Sequence, residues 1–144
     1  PYEEPCRLIP NVMMAAIYDE TIDLVSPATA RDFVYVDDVT ELYLMVDTLK
    51  RLGGEILNVG TGIQSSLGQI VRVTEELCGK KLDARWGAMK PRVWDSDVWV
   101  ADISKLHRLT GFTPSTSVRE GLEKCLSWFR DHAHFYRHQA ADTC

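Results

Sequence analysis

No apolar run in this sequence approaches the ~18 to 20 residues that a helix needs to span a bilayer. Its acidic start, Pro1-Tyr2-Glu3-Glu4, is unlike the basic first segment of a secretory signal, so a cytoplasmic protein without a membrane partner is expected. Positive charge is also scarce, with sixteen Lys and Arg against twenty-one Asp and Glu for a formal net charge of -5. The basic residues are scattered, which leaves no electrostatic footprint for nucleic acid. Cys6, Cys78, Cys125 and Cys144 form no C-x-x-C pair, so neither a disulfide framework nor a zinc site is expected and the thiols read as reduced. Internal repeats and low-complexity tracts are missing too. What remains is 144 residues, 45% apolar and 26% charged, the size and mix of one compact soluble domain.

Periodicity along the chain gives a mixed α/β pattern of short strands and about five helices. Leu8, Ile9, Val12, Met13, Ala16 and Ile17 recur at helical spacing between Cys6 and Tyr18, with Pro10 in the first turn. Thr21–Val25 alternates like a strand that Ser26-Pro27 ends. Phe33–Val36 is β-branched and aromatic, hence strand-like, and Asp37 or Asp38 caps a helix running through Leu42, Leu44, Met45, Val46 and Leu49 to Gly53-Gly54. Glu55–Val59 reads as a strand broken at Gly60-Thr61-Gly62. Ser65 or Ser66 then caps a helix from about Leu67 to Cys78, with Gly79 as its stop. Asp102–Lys105 opens a short helix that Gly111 ends, and Ser117-Val118-Arg119-Glu120 is a capping box before Leu122, Cys125, Leu126 and Phe129. The core is expected over about 7–130, with 131–144 a polar tail.

Several motifs carry two readings. Gly60-Thr61-Gly62 stands between a predicted strand and a predicted helix, with Asp83 about twenty residues on, as in a dinucleotide-binding turn. Ser65 stands where the third glycine belongs and Lys80–Asp83 lacks the apolar character of a buried strand, so a tight turn is the better reading. Arg31, at the end of a loop, is either a bidentate ligand for a phosphate or a surface arginine paired with Asp32. Arg92 has the same two readings. His132, His134 and His138 have only Asp131 as a nearby carboxylate and read as a solvated tail rather than a metal site. Trp86, Trp94, Trp99 and Trp128 are a stacking surface for a base or sugar, or core and interface residues, with Trp128 assigned to the core.

Six segments occur in a telling order: Arg7-Leu8-Ile9-Pro10, Arg31-Asp32-Phe33-Val34-Tyr35-Val36-Asp37-Asp38-Val39, Asn58-Val59-Gly60-Thr61-Gly62, Arg92-x-x-Asp95, Asp102-x-Ser104-Lys105 and Gly111-Phe112-x-Pro114-x-x-Ser117-x-x-Glu120-Gly121-Leu122. This series, from about Arg7 to Arg130, resembles the C-terminal, substrate-binding part of extended short-chain dehydrogenases/reductases, the NAD-dependent nucleotide-sugar epimerase/dehydratase family. The resemblance implies an α/β fold without the N-terminal Rossmann domain, in which that family binds NAD through a G-x-x-G-x-x-G loop. It also implies no cofactor site in this chain and no catalytic residue. The family's Tyr-x-x-x-Lys pair is not found here, since Cys6, Ile22, Val39, Asp47 and Ala140 stand four residues after the tyrosines. In such a pair the lysine lowers the tyrosine pKa so that a phenolate can act as a base.

The resemblance further implies nucleotide-sugar binding. Arg31 and Arg92 match the arginines that grip the diphosphate, Asp95 a carboxylate that accepts from a ribose hydroxyl, and Phe33, Leu8 and Val25 positions lining the nucleotide pocket. Two segments depart from the family's pattern: Ser26–Ala30 replaces a Gly-rich loop, and Val93-Trp94 is bulkier than the common small pair. The expected partners are a nucleotide diphosphate sugar and either a second copy or a Rossmann half that covers the strand at Leu57–Gly60. The expected function is a nucleotide-sugar-binding portion that is inactive alone. One alternative is half of a split epimerase or dehydratase, and another is a non-catalytic interaction module with a vestigial sugar pocket.

Overall fold

A computed structural model describes residues 2–90 and 98–137. Its elements are α1 (Leu8–Tyr18), β1 (Ile22–Leu24), β2 (Ala30–Asp32), α2 (Val36–Leu44), α3 (Val46–Lys50), β3 (Gln64–Ser66), α4 (Leu67–Cys78), β4 (Ala84–Trp86), α5 (Ser104–Thr110), α6 (Val118–His132) and α7 (His134–Arg137). The mixed α/β class is as expected, and the helical segments among the described residues exceed five because one predicted helix is split and a short one is added.

Three helices build the main core. α1 turns Met13 inward, α4 contributes Ile70, and α6 lays Leu122, Cys125, Leu126 and Phe129 against them. Each fully buried large side chain of this kind stabilises the fold by about 1.5 to 3 kcal/mol. α6 is held at its start by the predicted capping box: Ser117 Oγ accepts from Glu120 N at 3.2 Å, and Glu120 Oε2 accepts from Ser117 N at 2.8 Å. Ser66 caps α4 by accepting from Gln69 N at 3.1 Å, and Gly79 ends it at φ 69°.

The strands form two small ladders. β1 pairs parallel with β4 (Ile22 opposite Ala84, Leu24 opposite Trp86), and β2 pairs antiparallel with β3 (Ala30 opposite Ser66, Asp32 opposite Gln64). Ile22 and Leu24 bury their apolar face against Val12, Ala15 and Val71, which fixes β1 beside α1. A third cluster of Leu42, Leu106 and Phe112 joins α2 to α5.

Four expectations change. The strand predicted at Phe33–Val36 is displaced to Ala30–Asp32, because Arg31 and Asp32 find ladder partners in β3 whereas Phe33 and Tyr35 pack directly on the helical core. The helix predicted through Leu49 is interrupted at Met45, whose ψ of 44° leaves the helical region. Asp37 and Asp38 lie inside the first turn of α2, where carboxylates favour the helix dipole, and the residue preceding the helix is Tyr35. Glu55–Val59 has no ladder; Leu57 and Val59 pack on the Leu42 cluster, and the backbone of Leu57–Val59 makes no hydrogen bond among the described residues.

The predicted polar tail also starts later than residue 131. α6 runs to His132, and α7 carries Tyr136, only 4% exposed, to 4.8 Å between ring centroids from Phe129. Among the described residues no helix is long and apolar enough to cross a membrane.

Candidate functional site

Leu8, Val25, Arg31 and Phe33 are far apart in sequence and converge on one cleft of about 490 Å³. The start of α1 supplies Leu8, the residue after β1 supplies Val25, the middle of β2 supplies Arg31, and the chain leaving β2 supplies Phe33. Leu24, Leu67 and Met89 add apolar wall, and the lining carries Arg7, Arg31 and Lys90 together with Glu3, Asp23 and Asp32. Such a cleft has one face for a flat or alicyclic group and cations for an anion. Arg92 and Asp95 lie outside the described residues.

Around Arg31 the geometry is specific. Its Nη1 donates to Ala30 O at 2.7 Å, and its guanidinium carbon lies 4.8 Å from the centre of the Trp99 ring. Trp99 is held by its own backbone, with N donating to Gln64 Oε1 at 3.0 Å and O accepting from Asp32 N at 3.0 Å.

Asp32, next to Arg31, ties three chain segments together. Its Oδ1 accepts from Thr61 N at 2.8 Å and Thr61 Oγ1 at 2.5 Å, and its Oδ2 accepts from Gly62 N at 2.9 Å and Ala101 N at 3.1 Å. Burial raises its pKa, but the hydrogen bonds from Thr61, Ala101 and Gly62 favour the ionised form and hold it below the usual 3.8. Gly60 is required by this packing, since a Cβ there would fall 2.7 Å from Asp32 Oδ2 and from Ala101 Cβ.

That arrangement also tests the glycine turn as a cofactor cradle. A dinucleotide loop offers its N–H groups to a pyrophosphate, whereas here those of Thr61 and Gly62 are spent on an internal carboxylate. The turn is followed by β3 before α4 begins. It does not fit NAD.

Asp38, 3% exposed, repeats the device. Its carboxylate accepts from Thr116 N and Thr116 Oγ1, both at 3.1 Å, and from Ser115 N and Oγ at 3.3 Å, fixing the approach to α6. Sequence reasoning missed the Trp99 contact and both carboxylate clips, whose partners lie 29 to 78 residues away with no local signal. Lys90 and Met89 were missed likewise.

A larger hollow of about 630 Å³ is lined by Leu77, Leu126, Glu120, Glu123, Lys124 and Arg130 among others and shares no residue with the Arg31 cleft. Leu77 and Leu126 are its apolar side chains, against Leu8, Leu24, Val25, Phe33, Leu67 and Met89 in the Arg31 cleft, which makes it the weaker candidate. His132 Nδ1 donates to Trp128 O at 2.8 Å, and Trp128 is half-buried against the core as assigned. Among the described residues no three His, Cys, Asp or Glu side chains gather as a metal set.

No protein-family model matches the chain. It is 36% identical over 104 residues to the UDP-glucuronate 4-epimerase of Thermodesulfobacterium geofontis, covering 72% of this chain and 31% of that protein. A putative UDP-glucose 4-epimerase of Methanocaldococcus jannaschii is 31% identical over 102 residues, covering 71% and 32%. The solved structure of MoeE5 in complex with UDP-glucuronic acid and NAD superposes with a TM-score of 0.75 at 28% identity, over 92% of this chain and 44% of that one. The chain corresponds to the C-terminal part of an extended short-chain dehydrogenase/reductase of the nucleotide-sugar epimerase/dehydratase family. It spans about a third of the length of these curated epimerase/dehydratase relatives and under half of the solved chain. Within that family portion, the ordered motifs take on structural roles: Asp32 and the Gly60-Thr61-Gly62 turn form one clip, and Asp38 with Ser115 and Thr116 forms another.

Proposed function

We propose that the chain binds a nucleotide diphosphate sugar in the Arg31 cleft, as the substrate-holding portion of an epimerase or dehydratase. The convergence of Leu8, Val25, Arg31 and Phe33 on one cleft carries this reading, and relatives described as acting on UDP-sugars support it. Arg31 grips the diphosphate, with Arg92 as a second cation and Asp95 as the acceptor for a ribose hydroxyl. Leu8, Val25 and Phe33 line the nucleotide pocket. The chain performs no hydride or proton transfer by itself, because no tyrosine in it is followed by lysine four residues on. Binding and orientation are its contribution; the redox cofactor and the proton-transferring pair belong to a part of the enzyme this chain does not contain.

Calorimetric titration with UDP-, GDP- and CDP-sugars tests the proposal. Saturable heat with at least one of them is expected, and Arg31→Ala should weaken it by about 1.5 to 3 kcal/mol, the worth of a charge-assisted hydrogen bond. No heat with any of the three at millimolar concentration would sink it.

A second reading, half of a split enzyme, is favoured by one observation. Leu57, Asn58 and Val59 make no backbone hydrogen bond among the described residues although the segment is apolar and extended in pattern. An edge of that kind accepts a strand from another body, here a Rossmann half or a second copy.

A further inference from the structure

Trp99 is 49% exposed, so part of its ring surface is open to contact. Its backbone is pinned at N by Gln64 and at O by Asp32, and two residues on Ala101 N bonds the Asp32 carboxylate. The backbone that carries the indole is therefore set by the same clip that sets β2. The guanidinium of Arg31 lies over it at 4.8 Å while Nη1 is tethered to Ala30 O.

We propose that Trp99 is a positioning residue for the phosphate-binding arginine: its ring stacks on Arg31 and fixes the plane in which the guanidinium presents its donors to the cleft. An arginine side chain has many rotamers, and its five N–H groups all lie in the guanidinium plane. An indole against one face of that plane engages the face rather than the in-plane N–H groups, and it lowers the entropy lost when a diphosphate is gripped. Binding of a neutral nucleoside draws nothing from this device. The ligand class rests on the nucleotide-sugar reading above; the stacking does not.

The intact chain and its Trp99→Ala and Trp99→Phe variants would be titrated with UDP and with uridine, followed by NMR. Trp99→Ala should weaken UDP about three- to fivefold, the size of a partly exposed cation–π contact, and leave uridine unchanged. Trp99→Phe, which keeps a ring under the cation, should stay within about twofold of the native chain. Equal losses for UDP and uridine would make the indole a platform for the base and overturn the proposal. Undiminished UDP affinity in Trp99→Ala would overturn it as well.

A ligand-free measurement separates this proposal from the functional reading. Ring current should shift the Arg31 side-chain protons upfield in the native chain and in Trp99→Phe, and the shift should vanish in Trp99→Ala. If UDP binds none of the three, the nucleotide reading fails while the ring-current shifts still decide whether Trp99 holds Arg31. Unshifted Arg31 protons in the native chain would end the positioning role.

Discussion

The Asp32 carboxylate accepts hydrogen bonds from Thr61, Gly62 and Ala101, so the strand that carries Arg31 is fastened to two loops by one side chain. Replacing it with Asn keeps the shape but turns an amide N–H₂ toward donors on one side or the other. Asp32→Asn should destabilise the fold by about 3 kcal/mol, the loss of charged hydrogen bonds plus unsatisfied N–H groups, read as a lower urea midpoint. The pH dependence follows from the pKa, which sits below the ordinary 3.8 in the folded chain despite the opposing effect of burial. A carboxyl lowered on folding gives stability that is fully present above the unfolded value, because the unfolded chain takes up the proton first. That stability is lost as pH falls below 3.8 and through the folded value. Urea midpoints of the native chain and Asp32→Asn should therefore differ at neutral pH and converge in strong acid; a gap that is constant with pH would assign the effect to packing instead.

At the scale of elements, α6 is the case where local sequence and structure agree. Ser117 and Glu120 exchange hydrogen bonds at its start, and its apolar face of Leu122, Cys125, Leu126 and Phe129 enters the core as its periodicity predicts. Ser117→Ala removes an acceptor from one of the orphan N–H groups and should cost about 1 kcal/mol, seen as a lower thermal midpoint with the fold retained. α4, with Ser66 before it and Gly79 after it, was equally legible because its stop and start are chemical. The strands were not. Glu55–Val59 has the composition of a strand but no partner among the described residues, and Phe33–Val36 yields its ladder to Ala30–Asp32 because pairing is decided by a segment some thirty residues on. The site divides the same way. Leu8, Val25, Arg31 and Phe33 could be named from the family resemblance and come together in one cleft, whereas Trp99 could not be attached to Arg31, because cation–π contact between residues 68 positions apart leaves no periodic trace.

At the scale of the whole molecule, the segment before the glycine turn presents an edge. Leu57 and Val59 face the Leu42 cluster, Ile56 points outward at 84% exposure, and the backbone of Leu57–Val59 makes no hydrogen bond among the described residues. Just before it, Glu55 N donates to Leu52 O at 3.2 Å and Ile56 O accepts from Lys105 Nζ at 3.0 Å. Exposed, unpaired and apolar backbone recruits other chains unless a charge blocks the approach. In isolation the chain should therefore associate with rising concentration through this edge, and the amides of Leu57–Val59 should gain protection from hydrogen exchange as it does. Ile56→Lys places a charge on the outward face without touching the inward residues. It should shift sedimentation toward the monomer and restore fast exchange at Leu57–Val59, while the nucleotide-sugar binding proposed for the Arg31 cleft, which shares no residue with this edge, should stay unchanged. Association that persists in Ile56→Lys with slow exchange elsewhere would move the contact off this segment, and with it the reason to expect a strand from a second body there.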